Sequence, residues 1–255
     1  MRSLEIKDMP EIFAGSVLKD RQGSDFVIES VNGRMKVSIK YLDSFGYSTT
    51  VSTGRIKSGS IKNPYAPKIY GVGYMGVGPW RSTVSGERTA EYEAWKAMLS
   101  RAYDASLHKR NPAYIGCSVC PEWHNFQNFA SWINSQKNWG KPGFELDKDI
   151  ARIGNKTYSP ELCELLPRRI NALRMVTKSR EGLPPGVSIS PNGKYRAACR
   201  DGSGNVKLGT HETKDEAFLA YKEFKEKVIR DAANQFRSEI SERAYQSMIN
   251  HVVAQ

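Results

Sequence analysis

The spacing of apolar and polar positions changes several times along this chain. Between residues 12 and 62 it has the short repeat of strands. VIESV and KVSIKYL are rich in β-branched residues and flank Asn32-Gly33, and TTV follows within Ser48–Ser52. Side chains that point alternately to the two faces of a pleated strand require this two-residue repeat, and Asn-Gly suits the left-handed backbone of a type I′ hairpin turn. Glycines recur at the breaks (Gly23, Gly33, Gly46, Gly54, Gly59), so the segment predicts a small β barrel or sheet. Residues 63–86, including NPYAPKIYGVGYMGVGPW, show no period and predict an irregular connector.

From Glu87 to Ala105 the spacing becomes helical. Tyr92, Trp95, Met98, Leu99 and Tyr103 fall on one face with charged residues between them. NFQNFASWINS repeats the pattern with Phe126, Phe129, Trp132 and Ile133, whose spacing marks them as core rather than base-stacking groups. Residues 144–176 read as a strand in FELDKDI, a polar loop in IGNKTYSP, then a short strand and a helix within ELCELLPRRINALRMV. Beyond residue 182, GVSIS, KYRAACR and VKLGTH are three short strands split by the turn sequences PNG and DGSGN. A helix follows from Thr213 to Ala233. Thr213 and Glu216 open it as a capping box, and Ala217, Phe218, Ala220, Tyr221, Phe224 and Val228 form its buried face. SEISERAYQSMINHVV predicts a last helix. The fold class expected is α+β in three parts. Residues 1–70 form a β module, residues 71–180 a central ββα domain with flanking helices, and residues 181–255 a three-stranded antiparallel sheet packed on a helix.

Composition narrows the partners. Hydrophobic residues make up 39% of the 255 residues, enough for a packed core, and the formal net charge is +11. Such a surplus favours a polyanion, because each Lys or Arg docked on phosphate releases condensed counterions. No stretch is apolar enough to span a bilayer, so no membrane partner is expected, and MRSLEIKDMPEIFAG is too interrupted by charge for a signal peptide. The cysteines, Cys117, Cys120, Cys163 and Cys199, are too few and uneven for a secreted disulfide scaffold, which points to a reducing, cytoplasmic setting. Cys117 and Cys120 have the spacing of half a zinc site. Cys163 and His124 are the only candidates to complete it, so small buried thiols are expected and structural zinc is not.

A three-stranded sheet covered on one face by a helix leaves the other face free for a major groove. The segments GVSIS, GKYRAACR and VKLGTHETKDEAFLAYKEF resemble the Apetala (ethylene-response-factor type) DNA-binding domain, also found in bacteriophage and homing-endonuclease proteins. The resemblance covers about a fifth of the chain and implies that the sheet enters the major groove of double-stranded DNA. The contact positions it implies are Ser188, Ser190, Lys194, Arg196, Arg200 and Lys207. GVSIS departs from the family by carrying serines where the plant domain carries arginines.

The stretch YIGCSVCPEWHNFQNFASWI with FELDKDIARIGNKTYSPELCELLPRRIN resembles bacteriophage proteins related to HNH (His-Me finger) endonucleases. That resemblance implies an HNH-like ββα domain and hydrolysis of DNA assisted by Mg²⁺ or another divalent metal. Asp147 falls on the first metal-ligand position, Asn171 on the second, and Lys148 where the family has its general-base histidine. A lysine at its ordinary pKa is protonated at neutral pH, and Asp149 or His124 would have to substitute for it. Lys148 could instead clamp a phosphate. Two functions are therefore expected to compete: a phage homing-type HNH endonuclease acting in the cytoplasm of a bacterial host cell, and a non-catalytic DNA-binding or regulatory protein that keeps a degenerate nuclease fold.

Overall fold

The computed structural model describes residues 12–150, 154–174 and 182–254. The N-terminal stretch through residue 11, the expected boundary between residues 180 and 181 and the expected helix end at residues 175 and 176 lie outside the described residues. The chain is a mixed α and β fold that divides into two compact units. One comprises Met1–Lys109 and Pro121–Ser131, the other Arg110–Cys120 and Trp132–Gln255.

The first unit opens with β1 (Val17–Lys19), β2 (Asp25–Val31), β3 (Val37–Tyr41) and β4 (Ser48–Val51), an antiparallel sheet in that order. Alternation buries Phe26 and Ile28 of β2, Val37, Ile39 and Tyr41 of β3 and Val51 of β4. Ile56 of α1 (Thr53–Lys57) and Ile61 close this core. The connection at Asn32-Gly33 is a five-residue loop closed by Asn32 N donating to Lys36 O at 2.8 Å, rather than a two-residue turn. Burial sets the register: Phe26 faces Tyr41 and Ile28 faces Ile39, and a bulge between Ile28 and Ser30 leaves five residues to close the hairpin.

The expected connector packs within the same unit. Tyr74 N donates to His124 O, and Phe126 N to Tyr74 O, both at 2.9 Å. Gly73 lets the connector lie against Leu99 and Trp95, since a Cβ there would lie 2.5 Å from Leu99 Cδ1. Gln127 ties the irregular backbone: its Nε2 donates to the carbonyls of Met75 and Trp80, and its Oε1 accepts from Trp80 N. A short hairpin of β5 (Thr83–Val84) and β6 (Glu87–Arg88) leads into α2 (Ala90–Tyr103), capped by Thr89. Trp95, Met98 and Leu99 are buried on α2, and Trp95 Nε1 donates to Trp123 O at 2.7 Å. Next come α3 (Ala105–Arg110) and α4 (Phe126–Ser135), which buries Phe126, Phe129 and Ile133 while Trp132 is half-buried.

In the second unit β7 (Ser118–Val119) pairs parallel with β9 (Thr157–Tyr158), and β8 (Phe144–Asp147) pairs antiparallel with β10 (Glu164–Pro167). The helix α5 (Arg168–Arg174) starts directly after β10. Then β11 (Val187–Ile189), β12 (Tyr195–Arg200) and β13 (Asn205–His211) form an antiparallel sheet in sequence order. They are followed by α6 (Lys214–Gln235), with the complete Thr213–Glu216 capping box, and α7 (Glu242–Ile249).

Two cores share α6. Near its N-terminus Ala217, Phe218 and Tyr221 pack with Val187, Ala197 and Cys199 of the sheet. Near its C-terminus Ile229, Ala232 and Ala233 pack with Leu166, Ile170 and Leu173 of β10 and α5, and with Ala244 and Met248 of α7. The buried face therefore continues beyond Val228, the last position the sequence marked. Among the described residues no helix is long and apolar enough to cross a membrane.

Candidate nucleic-acid interface

With α6 on one face of β11–β13, strand parity assigns the other face. Val187, Ala197 and Cys199 are buried against the helix, and the residues between them point away from it. In register across the three strands, Ser188 faces Arg196 and Arg196 faces Thr210; next Ala198 faces Lys207, and Arg200 faces Asn205. Thr210 and Lys207 are three residues apart, so plain alternation would put them on opposite faces. A bulge on β13 resolves this. Gly209 pairs with Ala197 at φ +113°, Leu208 is the extra residue packed toward the core, and Lys207 returns to the free face. Gly209 was the signal in the sequence, because few residues other than glycine adopt that backbone.

Ser188, Arg196, Arg200 and Lys207 are all exposed. No described residue forms an ion pair with any of the three cations, and no acidic residue stands in those three register rows. Two expected contact residues stand apart. Ser190 is buried in the β11–β12 turn, where its Oγ donates to Lys194 O at 2.8 Å and bonds Asn192. Lys194 is ion-paired with Glu212 at the sheet end. At the other end, the Asp201 carboxylate accepts from Ser203 N, Ser203 Oγ and Gly204 N within its own hairpin turn. The Ser203 side-chain bond, then the backbone bonds, lower its pKa from an ordinary 3.8 to about 2. Beneath the sheet, burial pushes the Lys225 ammonium pKa down and the Cys199 thiol pKa up.

The other expected site lies where β8 ends. Asp147 Oδ1 accepts from Asp149 N at 2.9 Å and Ile150 N at 2.6 Å, capping the turn. Lys148 is 7% exposed. Its Nζ donates to both carboxylate oxygens of Asp149 and to Asn155 O, each at 2.8 Å, and lies 5.8 Å from the Tyr158 ring centroid. An ammonium so arranged is a donor that closes the loop. Asn155, which sequence reasoning passed over, does the matching work: its Nδ2 donates to the carbonyls of Lys148 and Thr157, and its Oδ1 accepts from Thr157 N. The Gly154-Asn155 turn pair was the signal available for it.

Asn171 sits on α5. Its Oδ1 is buried and accepts no hydrogen bond among the described residues, an arrangement that costs about 1–3 kcal/mol where no partner is supplied. His124 belongs to the first unit, where its Nε2 bonds the Tyr103 hydroxyl at 3.2 Å. Cys117 and Cys163 are buried, Cys120 is half-buried, and none is in a disulfide. Among the described residues no group of three or more His, Cys, Asp or Glu side chains is placed to hold a metal ion. Comparison with protein-family models, with curated proteins and with solved structures gives no match.

Proposed function

We propose that this chain is a double-stranded DNA-binding protein of bacteriophage or mobile-element type, working in the cytoplasm of a bacterial host. In this proposal the free face of β11–β13 lies in the major groove. One observation carries it: Arg196, Arg200 and Lys207 stand on one sheet face whose register rows hold no acidic residue, with small Ser188 and Thr210 flanking Arg196 and Ala198 between the two arginine rows. A sheet of that width fits the groove, Arg can pair bidentately with guanine, and short side chains let the backbone approach the base edges. The family resemblance of the C-terminal segments supports the same docking. The antiparallel pair β8–β10 followed at once by α5, with β9 in the stretch between the two strands, supports reading the central part as an HNH-like ββα element. The bonding of Lys148 to Asp149 and Asn155 supports retention of that element for binding rather than for a lysine-based reaction.

One observation favours metal-dependent cleavage as a second reading. Asn171 Oδ1 is buried and meets no donor among the described residues, and with the Asp147 carboxylate, whose Oδ1 also caps the turn, it would supply hard oxygen donors of the kind that bind Mg²⁺. This reading requires the two side chains to reach one ion, which would then stabilise negative charge on the phosphate oxygens. Full-length protein is to be assayed on duplex DNA for binding, and on plasmid with Mg²⁺ or Mn²⁺ for nicking. Binding that is unchanged in the triple variant Arg196→Ala, Arg200→Ala, Lys207→Ala would refute the sheet interface. Asp147→Asn preserves the Oδ1 cap and removes the charge, so it should leave the melting temperature near wild type. If it also leaves any nicking intact, the metal site is wrong.

A further inference from the structure

The first unit exposes an aromatic group that its core does not use. Phe45, at the tip between β3 and β4, is 50% exposed. Its ring stacks on Tyr65 with centroids 4.5 Å apart and planes 15° apart, and lies 5.2 Å from Tyr74. Tyr47, 5.9 Å from Tyr65, joins these rings to the sheet core, against which it packs. None of the four rings is fully buried.

A chain of polar contacts fixes this arrangement. Asp43 Oδ1 accepts from Phe45 N and Gly46 N, both at 3.0 Å. Its Oδ2 accepts from Asn63 Nδ2 at 2.5 Å, and Asn63 Oδ1 accepts from Tyr65 N at 2.9 Å. One carboxylate and one amide therefore hold both stacked residues, although neither ring is needed to fill the core. Such preorganisation lowers the entropy a ligand must overcome on binding.

The surroundings are cationic. Between residues 12 and 70 there are nine Lys or Arg against four Asp or Glu, and Asp20 and Asp43 are engaged with backbone N–H groups. The Lys40 stem packs at the tip, its Cε 3.3 Å from where a Cβ on Gly46 would stand. Lys62 and Lys68 are exposed on either side of Tyr65 in the sequence.

We propose that Phe45, with Tyr65 and Tyr74 beneath it, is a stacking platform for the bases of single-stranded nucleic acid, and that Lys40 and its neighbours track the phosphates. Every base has a π-face, so flat exposed rings beside lysines form a sequence-tolerant site. A proline-rich peptide would also meet aromatic rings, but it supplies no charge to match the lysines.

The proposal stands apart from the duplex interface on β11–β13, and the test separates them. Anisotropy of a labelled oligothymidylate of about 15 nucleotides is compared with an abasic strand of equal length, a duplex and a proline-rich peptide. The full chain is used, as wild type, Phe45→Leu, Phe45→Trp and Arg196→Ala/Arg200→Ala. Phe45→Leu should weaken oligothymidylate binding by about fivefold to a hundredfold, Phe45→Trp should retain it, and the arginine variant should lose duplex binding while keeping the single strand. Equal affinity for abasic and thymidylate strands would overturn the proposal. So would wild-type single-strand binding by Phe45→Leu, or sensitivity of Phe45→Leu confined to the peptide. Phe45 lies outside the core, so matched melting curves are expected to show that all variants fold.

Discussion

If the sheet reads DNA, Arg196 and Arg200 must act independently. They are four residues apart on β12, about 13 Å along the strand at roughly 3.3 Å per residue. That separation matches about four base-pair steps of 3.4 Å. It exceeds the Debye length of about 8–10 Å at moderate salt, so little electrostatic coupling should pass between them. Each alanine substitution should cost about 1–3 kcal/mol of specific binding and relax base preference at its own position. At that distance the two losses should add to within about 0.5 kcal/mol. Lys207 lies opposite Ala198, between the arginine rows, and under the proposed docking it would meet phosphate. Its removal should weaken all sequences alike and reduce the slope of log affinity against log salt by about 1.

The assay is fluorescence anisotropy on a duplex selected from a random library, with single and double variants titrated at several salt concentrations. Two results would refute the reasoning. One is a coupling energy near the size of the single effects, which would mean that the arginines do not occupy separate positions along the groove. The other is a variant that lowers affinity with no change in base preference for either arginine, which would reduce the sheet to a phosphate clamp.

Further predictions concern the frame around the sheet. Gly186→Ala should destabilise the protein by about 2–4 kcal/mol, because the new Cβ would lie 2.0 Å from Tyr221 Cδ2 at a backbone φ of +76°. Thermal or urea melting checks it, and a near-silent substitution would mean that β11 does not sit against Tyr221 as described. Asp201 should titrate near pH 2 by carbon-detected NMR. Because its folded pKa lies below the ordinary 3.8, its support of the hairpin is complete above about pH 4 and fades as pH falls toward 2. A midpoint near 3.8 would show that the Ser203 and Gly204 bonds do not persist in solution.

How much of this was legible in the sequence depended on whether the cause was local. The capping box at Thr213, the helical stripe of Trp95, Met98 and Leu99, and the three C-terminal strands each follow from neighbours a few residues away, and each is present. The second half of α6 was not legible. Ile229, Ala232 and Ala233 are buried by Leu166, Ile170 and Leu173, some sixty residues upstream, and nothing in the helix itself names them. The face of Lys207 depended on a one-residue bulge, which reverses every parity argument past it. Ser190 fits strand alternation by number, yet the strand ends one residue earlier and the turn takes it inward. The direction of Lys148 required knowing that Asp149 and Asn155 would meet across the loop.

The two ends of α6 bear on how the C-terminal sheet is held relative to β10 and α5. From Phe218, under the sheet, to Ile229 and Ala232, in the second core, the helix advances about 16–21 Å. A single helix seated in both cores fixes the sheet relative to β10 and α5, at a span of about five to six base pairs. Deleting β10 and α5 would leave α7 as the cover over the second half of that helix, so these two elements have mechanical work in holding it. Mechanical work does not account for Asn171, however. Its neighbours Ile170 and Leu173 already supply the apolar contacts to α6, and a leucine in place of Asn171 would avoid burying an unsatisfied acceptor. Asn171→Leu should therefore raise the melting temperature if nothing meets Asn171 Oδ1, and a fall would show that the oxygen has a partner beyond the described residues.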